Sequence, residues 1–161
     1  MRRSVRLVLA CVLLLSAAVF ASALSRADFE RVVDFSVSLK TLTAVAAGKA
    51  PLPTGKLVVL DGTVSDVNII NKEEATFLVR IELISGEWIG FEDVKSYTCY
   101  IDFSGPEFFK IFPARAPKNP SPEMVFLNTR LVVIGRPVDI TATHQGEKRV
   151  LVEGLLVRTI K

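Results

Sequence analysis

Polar and apolar positions alternate through most of the chain after Lys56. In "ATFLVRIELISG" the residues Phe77, Val79 and Ile81 would face one side, and Arg80 and Glu82 the other. This two-residue period predicts a half-buried β-strand. Comparable runs, rich in β-branched residues and bounded by turn residues, predict five strands in total: Lys56–Ile70, Ala75–Gly86, Ser96–Phe103, Phe126–Thr143 and Arg149–Ile160.

The segment before these strands has a different period. Apolar residues at positions 29, 32, 33, 39, 42 and 45 approximate one face of a helix, and Ser25 with Asp28 resembles a capping pair. Ser36 interrupts that face, and Gly48 and Pro51 end the pattern. The spacing therefore predicts a helix from about Asp28 to Ala47.

The predicted strands fall into a group of three and a group of two. Residues 104–124 separate the groups and contain five prolines. Three strands, a crossing segment and two strands follow the order of an OB-fold, although a β-sandwich also accommodates short alternating strands. We therefore predict a mainly β fold, a five-stranded OB-like barrel preceded by an N-terminal α-helix.

The sequences of the predicted strands also resemble those of a known group of proteins. The segments "LDGTV", "FLVRIEL", "CYIDF", "LVVIGRPVDI" and "VLVEGLLVRTIK" are similar to those of small exported bacterial OB-fold proteins. The resemblance covers most of Leu57 to Lys161 and implies a barrel used for binding. It transfers no catalytic residue to this chain.

The first 23 residues have the pattern of a targeting segment. Three arginines precede an apolar run from Leu7 to Phe20, and Ala21-Ser22-Ala23 forms a small-residue cleavage site. The same residues have two alternative interpretations: an uncleaved membrane anchor, or a lipoprotein site in which Cys11 is acylated. We expect a signal peptide over 1–23, a helix and linker over 24–55, a barrel over 56–161, and export to the periplasm or cell envelope.

Removing this segment changes the charge of the protein. The full chain has 20 basic and 17 acidic residues, but three arginines lie before residue 24, so the remainder carries 17 of each sign. Proteins that neutralise many phosphates are usually basic. The balanced charge therefore does not favour nucleic acid as the partner.

The sequence offers little for catalysis or cofactor binding. Cys99 shares the apolar face of its strand with Tyr97 and Phe103, which predicts a buried structural thiol. His144 is the only histidine and lies in a turn, whereas metal sites need several His or Cys ligands. We expect no catalytic residue, no metal and no cofactor.

The predicted ligand surface is the outer face of the second and third strands. OB-folds usually bind ligands there and on the loops at 71–74 and 144–149. The residues of this face are Leu78, Arg80, Glu82, Ile84, Thr98, Tyr100 and Asp102. With His144 and the loop residue Trp88 as further contacts, the face predicts a non-catalytic module for a protein or small ligand. The alternative is an exported protein that binds single-stranded nucleic acid.

Phe108, Phe109 and Phe112 have two interpretations. They could line a hydrophobic groove, or they could close one end of the barrel. The second interpretation suits a segment between the third and fourth strands of an OB-fold, and we expect a phenylalanine plug there.

Overall fold

A computed structural model describes residues 26–90, 93–143 and 145–160. The chain divides into two compact units, 1–31 and 32–161. Helix α1, Arg26–Val32, lies mainly in the first unit, where Arg31 and Asp28 form an exposed ion pair at 3.5 Å.

Five strands close into a barrel, which confirms the predicted OB-like architecture over a sandwich. They are β2 Leu57–Asn71, β3 Leu78–Ile89, β4 Asp93–Ser104, β5 Arg130–Ala142 and β6 Lys148–Thr159, and a two-residue strand β1, Val33–Asp34, precedes them in the chain. Around the barrel the order is β2-β3-β4-β6-β5, and β5 pairs back with β2. All neighbours in the barrel are antiparallel except β4 and β6, which pair in parallel at Tyr100–Asp102.

Strand β2 closes the barrel because it pairs with two strands, β5 and β3. Its first half pairs with β5 and its second half with β3, and Thr63 has a partner in both. Gly62 lies at this crossing, where a Cβ would come within 2.8 Å of the Ile84 carbonyl oxygen and 2.9 Å of Leu83. A side chain would force the strands apart, so this close approach requires glycine.

The helix predicted over residues 28–47 is two helices with a short strand between them. Strand β1, Val33–Asp34, pairs in parallel with the start of β2, and α2 follows as Leu39–Ala46. The Asp34 carboxylate accepts hydrogen bonds from Ser36 N at 2.9 Å and Ser36 Oγ at 2.6 Å, which stabilises the turn. The serine that interrupts the apolar pattern therefore marks a real break in the helix.

Two helical segments contribute apolar side chains to the barrel core. Helix α2 is capped by Ser38 and buries Leu39, Leu42 and Val45. Helix α3, Pro106–Phe109, and the residues after it bury Phe108 and Phe112, whose ring centroids lie 4.9 and 5.1 Å from that of Phe103. The expected phenylalanine plug is thus present, although Phe109 is only partly buried.

Candidate functional site

The structure brings four of the predicted site residues together on the outer face of β3 and β4. Arg80 is opposite Asp102, and Glu82 is opposite Tyr100. Adjacent residues on one strand alternate sides, so all four side chains share the face that points away from the core. Each is partly buried.

Arg80 is held in one orientation by Asp102. Its Nε and Nη2 donate to the two carboxylate oxygens at 2.7 and 2.8 Å, a bidentate pair. This pairing raises the pKa of Arg80 and keeps the guanidinium charged. The guanidinium carbon lies 5.6 Å from the centroid of the Tyr100 ring, within the range of a cation–π contact.

Neighbouring strands add residues that the sequence analysis left out of the site. On β2, Asn68 is the partner of Arg80 and Asp66 the partner of Glu82. Leu151 of β6 is the partner of Tyr100. Alternation within β2 and β6 indicates which residues face outward. It does not give the pairing register between strands, which decides which residues are neighbours.

Arg149, at the start of β6, completes the face. It lay within the loop predicted to contact ligand, and its side chain pairs with Glu147 at 2.6 Å and with Glu82 at 3.6 Å. Glu82 also accepts a hydrogen bond from Ser65 Oγ at 2.9 Å. A network of ion pairs therefore fixes both arginines on this surface.

These side chains surround a groove with Tyr100 in its floor. Two adjoining depressions of about 220 and 330 Å³ share Tyr100 and Thr143, and we call them together the Tyr100 groove. Among the described residues, two guanidiniums and four carboxylates lie in or beside it: Arg80, Arg149, Asp66, Glu82, Asp102 and Glu147. The groove is therefore polar and carries a net negative formal charge.

Trp88 lies apart from the groove. It is 72% exposed near the end of the β3–β4 hairpin, six residues from Glu82 and thus about 20 Å along the strand. The hairpin is connected to α2 beside Trp88, because Lys40 of α2 donates to Glu87 at 2.8 Å. The Tyr97 hydroxyl of β4 also donates to Glu87, at 2.6 Å. These two bonds, with that from Lys40 the stronger influence, lower the pKa of Glu87.

A further position of the predicted face, Thr98, does not line the groove. Thr98 is buried, and its backbone N–H donates to Thr43 Oγ1 of α2 at 3.2 Å, so the helix covers this part of the predicted face. His144 lies outside the described residues.

Cys99 is a core residue, as the alternation predicts. Its side chain is fully buried, and this burial raises the pKa of the thiol well above its usual range. A thiol that stays protonated is a poor nucleophile. Within the residues that the structure describes, no group of three or more His, Cys, Asp or Glu side chains could hold a metal ion.

No helix among the described residues is long and apolar enough to cross a membrane.

Comparisons with known proteins give similarity in structure alone. No protein-family model and no curated protein sequence matches the chain. The single-stranded DNA-binding protein of Thermus aquaticus aligns at 11% identity and a TM-score of 0.42, over 65% of this chain and 50% of that one.

Two further structures are similar to a comparable degree. The small single-stranded DNA-binding protein of Streptomyces coelicolor aligns at 9% identity and a TM-score of 0.40, over 65% of this chain and 91% of that one. The N-terminal domain of PriB from Thermoanaerobacter tencongensis aligns at 12% identity and a TM-score of 0.37, over 65% of this chain and 96% of that one.

These findings correct the prediction of a protein or small-ligand module with nucleic acid disfavoured. Two of the similar structures are named for binding single-stranded DNA. The physical reason for the error is that the charge of the face was counted from two strands, as one tyrosine, one arginine and two acids. The folded face also includes Asp66 and Asn68 of β2, and Glu147 and Arg149 of the predicted loop lie beside them. At such low identities the comparisons show only the fold, which is a mainly β, OB-like barrel preceded by a helix.

Proposed function

We propose that the Tyr100 groove binds single-stranded nucleic acid through its bases. The observation that carries this proposal is the fixed Arg80–Tyr100 pair in the floor of an open groove. Nucleobases stack on aromatic rings and on guanidinium planes, and one such stack is worth about 1–3 kcal/mol. Asp102 holds Arg80 in place before a ligand arrives, which lowers the entropy cost of binding.

The groove also carries groups suited to the polar edges of bases. Asp66 and Glu82 are hydrogen-bond acceptors, and Asn68 and Gln145 supply both donors and acceptors. Carboxylates accept hydrogen bonds from exocyclic amino groups such as N4 of cytosine. Thymine and uracil lack that amino group, so cytosine should bind better than either.

The negative charge of the groove determines where the phosphates lie. Four carboxylates outnumber two guanidiniums around Tyr100, so the sugar-phosphate backbone should run along the solvent side of the bound bases. Few counterions are then released on binding. The affinity should be modest and should depend weakly on salt.

Two further parts of the proposal rest on separate evidence. The groove acts as a binding surface without catalysis, which the buried thiol of Cys99 supports. The protein works after export, which the basic start, the apolar run and Ala21-Ser22-Ala23 support. A fusion of residues 1–30 to a reporter that is active only outside the cytoplasm should give activity, and a silent reporter would contradict export.

Fluorescence anisotropy with labelled single-stranded oligonucleotides tests the binding proposal. We expect oligo-dC to bind about fivefold more tightly than oligo-dT. We also expect the plot of log affinity against log salt to have a slope shallower than about −1.4, the value for two phosphate contacts.

Variants assign the binding to the groove. Tyr100→Ala should weaken oligo-dC binding by about tenfold or more, whereas Tyr100→Phe, which keeps the ring, should retain it. Leu127→Ala removes an apolar side chain that is 58% exposed and lines neither depression, so it is the matched control. Equal affinity of Tyr100→Ala and the unmodified protein, or no binding to any oligonucleotide, would contradict the proposal.

A further inference from the structure

A second cavity lies beside the phenylalanine plug. It has a volume of about 420 Å³, and its walls include Ile69, Phe77, Phe109 and Met124. We call it the phenylalanine cavity. None of its lining residues belongs to the Tyr100 groove, so the two sites are separate in space and in composition.

The walls of the phenylalanine cavity suit a hydrocarbon. The edge of one ring meets the face of the other in the Phe77–Phe109 pair, with centroids 5.5 Å apart, and Phe112 lies beneath them, almost fully buried. Met124 adds a flexible side chain that can adjust to a chain of variable shape. A nucleobase would leave its polar edge without hydrogen-bond partners against these walls, at a cost of several kcal/mol.

Among the described residues, the charged side chains that line this cavity are those of two lysines. Lys72 comes from the segment between β2 and β3, and Lys110 follows α3. Both are exposed, and within the described part of the chain neither forms an ion pair. Among the described residues no carboxylate lines the cavity, so its lining carries positive charge only.

We propose that the phenylalanine cavity binds an unbranched aliphatic chain that ends in a carboxylate, with the chain against the phenylalanines and the carboxylate between Lys72 and Lys110. The cavity volume lies within the range of small-molecule sites, which are mostly apolar and carry a few polar groups that fix orientation. The two sites differ in the chemistry of their walls: the phenylalanine cavity is apolar with two lysines in its lining, whereas the Tyr100 groove is lined mainly by polar and charged side chains.

Calorimetric titration of the full chain with monomeric alkyl carboxylates tests this proposal. Affinity should rise by about fourfold for each added methylene until the cavity is full, because each buried methylene contributes a similar increment. Decanoate should bind about tenfold more tightly than decanol, and decyltrimethylammonium should bind more weakly than either. Absence of decanoate binding below its micelle concentration, or equal binding of the cationic amphiphile, would overturn the proposal.

Variants separate the contribution of the charge from that of the cavity. Lys72→Gln combined with Lys110→Gln should weaken decanoate binding by about tenfold and leave decanol binding unchanged. Lys118→Gln changes an exposed lysine that does not line the cavity and should alter neither affinity. Ala114→Trp places a large ring on an exposed lining residue and should abolish binding of both ligands. Circular dichroism establishes that each variant is folded, and full decanoate binding by folded Ala114→Trp would contradict the assignment.

Two more measurements distinguish other ligands. Anionic phosphatidylglycerol vesicles share the chemistry of an acyl chain with a negative group. Recruitment to these vesicles without binding of monomeric decanoate would overturn the proposal of a free carboxylate. A single-stranded oligonucleotide should not displace decanoate, and displacement would show that the two sites are one.

Discussion

The two faces of β4 differ in what determines their residues. The inner face carries Tyr97, Cys99, Ile101 and Phe103, and none of these side chains is more than 5% exposed. The outer face changes along the same strand from exposed Val94 and Ser96, through buried Thr98, to half-buried Tyr100 and Asp102. Close packing inside the barrel buries the side chain at each of these inner positions. On the outer face, the exposure of each side chain depends on which neighbouring element covers it.

The outer face therefore carries the proposed binding site, and the inner face supplies core packing. α2 covers Thr98, while the ends of β2–β3 and β5–β6 leave Tyr100 open in its groove. Phe103, by contrast, contacts Phe108 and Phe112 and lies against Gly154, where an added Cβ would overlap its ring. Substitutions on the two faces should therefore affect different measurements.

The largest expected difference is in the loss of unfolding free energy between Phe103→Ala and Tyr100→Ala. Phe103 is fully buried, and its truncation should lower the free energy of unfolding by about 3–5 kcal/mol because it leaves a cavity in the core. Tyr100 is half-buried and its truncation should cost about 1 kcal/mol. Urea unfolding followed by circular dichroism measures both. Equal losses would show that the outer face supports the barrel as strongly as the core does.

The alternation along β4 is the feature of the fold that the sequence displays best. Burial of Cys99 and Phe103 follows directly from the period of two, and the position of the plug follows from Pro106 and Pro113 around three phenylalanines. These predictions depend on residues close together in the chain. They succeed because local period and local chain breakers determine the elements.

The features that the sequence did not predict depend on contacts between distant segments. The break at Val33–Asp34 arises because these residues pair with β2, about 24 positions later in the chain. Asp66 and Asn68 belong to the groove because an irregularity in register between Val64 and Asp66 shifts β2 relative to β3. Bulges of this kind leave little trace in composition, so the site was predicted as two strands with two loops, whereas the groove draws residues from all five strands of the barrel.

Thiol labelling compares the reactivity of a cysteine on the inner face of β4 with that of a cysteine on its outer face. In a Cys11→Ser background, Cys99 should react with a small aromatic disulfide more slowly than an exposed cysteine, by on the order of a hundredfold, because its thiol is buried and protonated. The matched control adds Ser96→Cys and Cys99→Ala, which places the thiol on the exposed outer face of the same strand. Rapid, stoichiometric labelling of native Cys99 would contradict its assignment to the core.

The smallest expected effect concerns two ion pairs on the outside of the barrel. Arg80 and Asp102 retain 30% and 21% side-chain exposure and bond through two hydrogen bonds, whereas Arg130 and Asp61 retain 62% and 65% and meet once, at 3.3 Å. Asp102→Asn should therefore lower the free energy of unfolding by about 1 kcal/mol, and Asp61→Asn by less than about 0.5 kcal/mol. Thermal unfolding at low and high salt measures both. If the two variants lose equal stability, Asp102 contributes no more than an exposed surface charge, and the fixed orientation of Arg80 over Tyr100 loses its physical basis.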